Sequence, residues 1–380
     1  MYDTQEPFDD LVWEKNEEVA NEGLRGMRMK EKVRRVEDPV KDKFGGEPSC
    51  ISPLILGGFN IIYRVHVDCR IPDVVSTFGR IGGLIELPDG NIGVGDRPLT
   101  HNMTDMIGLA NIPREALPPE GTTYETADSW YTALAEMHLA QLAFQHNDAI
   151  ISADDCRNKY VARQIFLRLA RQGRLSSFGF KEDEWSAHAA SGQSEPPTCP
   201  MPSGTDSFRL WCDDLQAGNI LLTETDEIAA LIDWEYTYAA PTQFILDPPW
   251  TYADRIEIWL TAVREAEAAL GGYDALPLPL STYMRESWET ERFFLNYAAR
   301  RSWAFDVMYW TFLDEKFFGP RGGDAARVDL WKTRVALMTD AQRDALEPFV
   351  ERKMAETDDR RIVDWDPAEV RLYLDKLLLD

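Results

Sequence analysis

The sequence predicts an α+β fold made of a small β-rich portion followed by a large helical one. Three observations predict it. β-branched runs are concentrated before residue 97, helical periodicity takes over from about residue 128, and a strand–turn–strand stretch at 208–236 interrupts the helices. With 380 residues, of which 44% are hydrophobic and 11% aromatic, the chain can bury a sizeable core.

Taken in order, residues 1–49 form a charge-rich leader ending in KFGGEPSC. SPLILGGFNIIYRVHVD (52–68) has two β-rich runs around Gly57-Gly58, the composition of a hairpin. GLIELPDGNIGVGD (83–96) reads as a second hairpin, with Pro88-Asp89-Gly90-Asn91 as its turn. DSWYTALAEMHLAQLAF then sets Trp130, Leu134, Met137 and Gln141 on one helical stripe, with Asp128 as the expected cap. His138 within it is expected to be a packed or surface residue. His146-Asn147-Asp148 is expected to cap the helix end. DDCRNKYVARQIFLRLARQ continues as a second helix, and the Pro-, Gly- and Ser-rich residues 186–206 read as a long loop. FRLWCDDLQAGNILL and IAALIDWEY give strand, polar turn and strand. After PTQFILDPPW the chain is helical, and the aromatic-dense segment 291–319 is expected to serve mainly as core.

The formal net charge of −25 repels phosphate backbones and anionic lipid, which argues against nucleic acid and membrane surfaces as partners. Five cysteines, odd in number and without C-x-x-C spacing, suggest neither a disulfide framework nor a zinc site and point to a reducing compartment. The acidic start MYDTQEPFDDLVWEKNEE lacks an apolar h-region, and no run approaches the length of a membrane span, so the expectation is a cytoplasmic protein.

Chemistry concentrates at Asp214, Asn219 and Asp233. A strand pair joined by a short turn brings its outer ends together, which should make Asn219 and Asp233 neighbours. Their amide and carboxylate oxygens are hard ligands suited to Mg²⁺. Asp214 would remain free to orient and deprotonate a substrate hydroxyl, since Asp-x-x-x-x-Asn followed by a strand-terminal Asp is the constellation of kinase catalysis. The spacing selects Asp214 over Asp213, because five residues after Asp213 comes Gly218. Asp213 is expected to be a solvated or capping neighbour.

The stretch CDDLQAGNILL…IAALIDWEY resembles the aminoglycoside phosphotransferase/choline-kinase-like family, whose usual form is His-x-Asp-Leu-x-x-x-Asn followed by Ile-Asp-Trp-Glu. HLAQLAFQHNDAI, DDCRNKYVARQIF and PTQFILDPPW resemble its fungal branch. The resemblance implies a protein-kinase-like two-lobed fold, with a β-rich N-lobe over a helical C-lobe. It further implies Asp214 as catalytic base, Asn219 and Asp233 as metal ligands, and a turn at Gly57, Gly58 and Asn60 over the nucleotide phosphates. Mg²⁺ and ATP or GTP would be the cofactors, and a small-molecule hydroxyl the acceptor.

Two departures stand out. Cys212 replaces the family histidine. No lysine occurs from Phe44 to Asn158, where a kinase N-lobe carries the one that holds the α- and β-phosphates. Five strands, a helix and their loops need roughly 60 residues, yet only residues 69–82 separate the two hairpins. The expected organisation is therefore a charged leader (1–49), a truncated N-lobe (50–82) and a helical C-lobe with the catalytic loop (83–380). The expected function is a phosphotransferase impaired by its reduced N-lobe. The alternatives are an inactive pseudokinase-like binding protein or a truncated gene product.

Overall fold

The computed structural model describes residues 9, 11–16, 49–56, 61–66, 77–191, 196–202, 208–223, 225, 228–248, 256–269, 276–322 and 325–378. The chain is α+β and divides into two compact units, one spanning Asp10–Val75 and the other comprising Met1–Asp9 with Ser76–Asp380. In the smaller unit, residues 11–16 are helical, and β1 (Ser49–Leu56) pairs antiparallel with β2 (Ile61–His66). This is the first expected hairpin.

The larger unit is organised around a five-stranded antiparallel sheet. Its strands are β3 (Thr77–Phe78), β4 (Gly82–Glu86), β5 (Ile92–Asp96), β6 (Phe208–Cys212) and β9 (Thr237–Pro241), in the order β3-β6-β9-β4-β5. The β4–β5 hairpin turns where the sequence places it. Gly90 takes a positive φ of 81°, and Asn91 donates its backbone N–H to Asp89 Oδ1 at 3.0 Å. A separate pair, β7 (Ile220–Leu222) and β8 (Ile228–Leu231), forms the hairpin expected after the double aspartate. The sequence reading missed β9, the strand that joins β6 to β4 in register Cys212↔Thr237 and Gly82↔Ala239.

Helix α1 (His101–Ala110) starts where Thr100 accepts from Met103 N–H, and it ends at Asn111 in left-handed conformation. Helix α2 (Ala127–Phe144) begins two residues earlier than an Asp128 cap would place it. Thr126, not Asp128, is the cap, and Thr126 and Ser129 form a reciprocal capping box while Asp128 occupies the first turn. Trp130, Leu134 and Met137 are buried as the stripe predicts, but so are Tyr131, Ala135, His138 and Leu142, so α2 is central rather than one-sided. It packs on α3 (Ala153–Arg171), which Ser152 caps.

His146, Asn147 and Asp148 do not cap α2. His146 Nε2 lies 2.6 Å from the Asp359 carbonyl, Asn147 Nδ2 donates to the Arg361 carbonyl at 2.9 Å, and Asp148 takes a two-point contact from Arg360. The triplet therefore fastens the C-terminal segment. Within the expected long loop, residues Ala187–Ala190 make one helical turn capped by Ser186.

The rest is helical, with α4 (Ile256–Ala269), α5 (Leu280–Thr290), α6 (Arg292–Arg300), α7 (Asp340–Asp358) and α8 (Pro367–Leu377) the longest pieces. Phe305, Tyr309, Leu313 and Phe317 are buried in the main core, as expected of the aromatic segment. Cys156 and Cys199 are buried thiols, each pushed up to about 12 by desolvation. Among the described residues, no helix is long and apolar enough to cross a membrane.

Candidate functional site

The site begins where β6 runs out. Beyond the last β6–β9 pair, Asp213 N–H donates to the Tyr236 carbonyl at 3.0 Å, holding the two loops together. Asp213 is not the solvated neighbour the sequence suggested: its side chain is completely buried. Its Oδ1 accepts from Arg300 Nη1 and Trp211 Nε1, each at 3.1 Å, and its carbonyl accepts from Arg301 Nη2 at 2.9 Å. Burial opposes ionisation of the carboxyl. The charges of Arg301 and Arg300 outweigh that penalty, with the two hydrogen bonds, and hold its pKa below the ordinary range.

Asp214 is half-buried, and its environment differs from that of Asp213. Gln216 Nε2 lies 3.3 and 3.4 Å from its two carboxylate oxygens. Asn219, on a single 3₁₀ turn (Ala217–Asn219), donates Nδ2 to the Asp214 carbonyl at 2.7 Å and reaches Oδ2 at 3.4 Å. The Asp214-to-Asn219 loop is thus closed by the very side chains the motif singles out.

Asp233 joins them through the backbone. Ile232 N–H donates to the Asn219 carbonyl at 2.9 Å, extending the Ile220↔Leu231 pairing by one step. Cys212 Sγ, at the end of β6, lies 3.9 Å from the Asp233 carbonyl and bridges the two segments. Asp233 has φ +65°, a left-handed backbone that aspartate, like asparagine, adopts more readily than most residues other than glycine. Asn219 is thus paired through its backbone with Ile232, the residue before Asp233. Gly57, Gly58 and Asn60 fall between β1 and β2 and lie outside the described residues.

By residue type, Asn219 could supply an amide oxygen and Asp233 a carboxylate oxygen to a Mg²⁺ ion. With Asn219 Nδ2 committed to Asp214, the amide oxygen faces away from that bond. Two hard donors fit an ion that keeps water and phosphate oxygens as its remaining ligands. Among the described residues no group of three or more His, Cys, Asp or Glu side chains is arranged to hold a metal by itself.

Beside the loop opens a cleft of about 450 Å³, within the range of small-molecule sites. Asp214 and Gln216 border it, and Trp211, Ile245, Trp259 and Phe293 line it.

The sequence reading passed over several residues here. Arg300 and Arg301 lie in the segment read as aromatic core. Arg300 stacks over Trp211 and Phe244, its guanidinium carbon 4.6 and 5.1 Å from the ring centres. His101 Nδ1 lies 2.8 Å from Asp105 Oδ2, one turn along α1, and its ring packs against Tyr236 at 5.2 Å. Its pKa is raised, chiefly by the hydrogen bond to Asp105. Burial opposes this, while the charges of Asp105 and, more weakly, Asp214 favour the protonated ring. The detectable signal was a His-x-x-x-Asp spacing at a Thr-capped helix start.

No family model matches the chain, and neither a curated protein nor a solved structure is significantly similar to it.

Proposed function

We propose that the chain is a small-molecule phosphotransferase of the aminoglycoside phosphotransferase/choline-kinase-like type, moving the γ-phosphate of ATP or GTP to a hydroxyl. Its larger unit then corresponds to a kinase-like helical lobe, with Asp214 as base and Asn219 and Asp233 as metal ligands. The observation that carries this reading is the closure of Asp214, which borders the cleft, onto Asn219, and the backbone bond from Ile232, the residue before Asp233, to the Asn219 carbonyl.

In this reading each side chain has a separate task. Asp214 accepts the proton of the acceptor hydroxyl as its oxygen forms the new bond to phosphorus and the bond to the nucleotide's β-phosphate oxygen breaks. Gln216 and Asn219 hold the Asp214 carboxylate toward the cleft. Asp213 takes no part in proton transfer, because Arg300 and Arg301 keep it ionised and enclosed. Mg²⁺, when bound with nucleotide, would neutralise charge on the transferring phosphoryl group.

A second reading has its own supporting observation. The stretch from Phe44 to Asn158, which includes β1 to β5, has no lysine to hold phosphate. A binding protein derived from the same scaffold, or the product of a shortened gene, accounts for that. Calorimetric titration of the 380-residue chain with Mg²⁺-ATP and Mg²⁺-GTP separates the readings. Saturable, magnesium-dependent binding that Asp233→Ala abolishes is expected of the phosphotransferase. No binding at millimolar nucleotide would instead favour the non-catalytic reading.

A further inference from the structure

We infer that the cleft beside Asp214 takes an uncharged, largely apolar acceptor that carries a hydroxyl and a second oxygen able to accept a hydrogen bond. The part of this inference that concerns phosphorylation rests on the reading of Asp214 as the base.

The cleft's walls set its chemistry. Ile245, Trp259, Leu280, Met284, Phe293 and Tyr297 supply an apolar and aromatic lining contributed by several separate elements. A polar sugar bearing several ammonium groups would need unpaired carboxylates to replace its hydration. Three carboxylates border the cleft, Asp213, Asp214 and Asp247. Asp213 accepts from Arg300 and Trp211 at Oδ1, and although its Oδ2 is buried without a hydrogen-bond partner, Arg300 and Arg301 already match its charge. Asp247 is spent on Ser287 Oγ at 2.5 Å and Asn296 Nδ2 at 2.6 Å, with Arg292 Nε 3.9 Å away. Among the described residues that leaves Asp214 alone to face a cation.

A polyanion fits no better. Arg300 is committed at both ends, Nη1 to Asp213 and Nε to the Asn296 carbonyl at 3.1 Å, with its face on Trp211. Arg301 gives Nη2 to the Asp213 carbonyl, but its Nη1 is buried without a hydrogen-bond partner, 4.0 Å from Asp213 Oδ2. A buried donor without a partner is costly. One carbonyl or ether oxygen on the bound molecule would satisfy it without bringing charge. The pattern is thus an apolar body, one hydroxyl toward Asp214 and one oxygen toward Arg301.

The probes are a monohydroxyflavone, which has this pattern, and kanamycin, a polycationic sugar. Both are titrated calorimetrically into the full chain and into Trp259→Ala. Trp259 is partly exposed, so its loss should leave the fold intact, and a thermal melt of the variant checks this. The flavone is expected to bind saturably and to weaken roughly tenfold in the variant, as loss of an aromatic wall should cause, while kanamycin gives no heat. Kanamycin binding, no flavone binding, or flavone binding unchanged by Trp259→Ala would each overturn the inference. Incubation with Mg²⁺-ATP tests the base separately. Flavone that binds but is never phosphorylated refutes the phosphotransferase reading and leaves the ligand class standing. Phosphorylated kanamycin does the reverse.

Discussion

Asp213 and Asp214 are consecutive residues with opposite surroundings, and the difference comes from residues far along the chain. The spacing to Asn219 was legible in the sequence, so Asp214 could be singled out there. The burial of Asp213 was not, because its partners Arg300 and Arg301 come 87 and 88 residues later and only tertiary folding brings them in. His138 shows the converse, since a histidine among alanine and leucine was expected to be packed or exposed and is fully packed. Burial, reinforced by the charge of Arg163, lowers its pKa to about 3, and Nδ1 lies 2.9 Å from Ser302 Oγ. The unfolded chain, with histidine near 6.5, therefore binds a proton that the folded chain refuses between about pH 3 and 6.5. Stability should fall as pH drops through that window. Urea melts at pH 4 to 6 should show His138→Phe losing up to about 1.4 kcal/mol per pH unit of this slope. An unchanged slope would mean that His138 is not the buried neutral group described.

At the level of elements, local chemistry was read well and long-range pairing poorly. The Pro-Asp-Gly-Asn turn of β4–β5 and the start of α3 depend on neighbours within a few residues, and both stand where the sequence puts them. The α2 cap was displaced by two residues because Asp128 and Thr126 are both acceptable capping types, and only Thr126 is matched with a Ser129 that can return the hydrogen bond. Strand β9 went unread because TYAAP is short, small and ends in proline, yet it is held by β6 on one side and β4 on the other. That double pairing makes the β4 glycines sensitive. A Cβ on Gly82 would stand 2.5 Å from the Asp96 carbonyl oxygen and 2.7 Å from Val94 Cγ1. Gly82→Ala should therefore destabilise the sheet by about 1–3 kcal/mol, as overpacking generally does. Chemical denaturation would measure this, and a variant as stable as the parent would contradict the close strand approach.

For the molecule as a whole, the α+β class followed from the order of periodicities, and the helical core from the aromatic density after residue 290. The cleft was not legible, because it depends on how separate elements meet. The functional claim is that one aspartate of the adjacent pair does chemistry while the other holds the fold. The most direct measurement compares Asp213→Asn with Asp214→Asn. It pairs thermal melts with release of γ-phosphate from Mg²⁺-ATP, using water or a monohydroxyflavone as acceptor. Asp214→Asn should melt with the parent protein and lose about 10²–10⁴-fold in transfer, the range for removing a general base. Asp213→Asn should instead lower the melting temperature markedly by leaving two partly buried arginines without their counter-charge. An Asp214→Asn protein that transfers phosphate at the parental rate, or a parent that transfers none, would contradict the account.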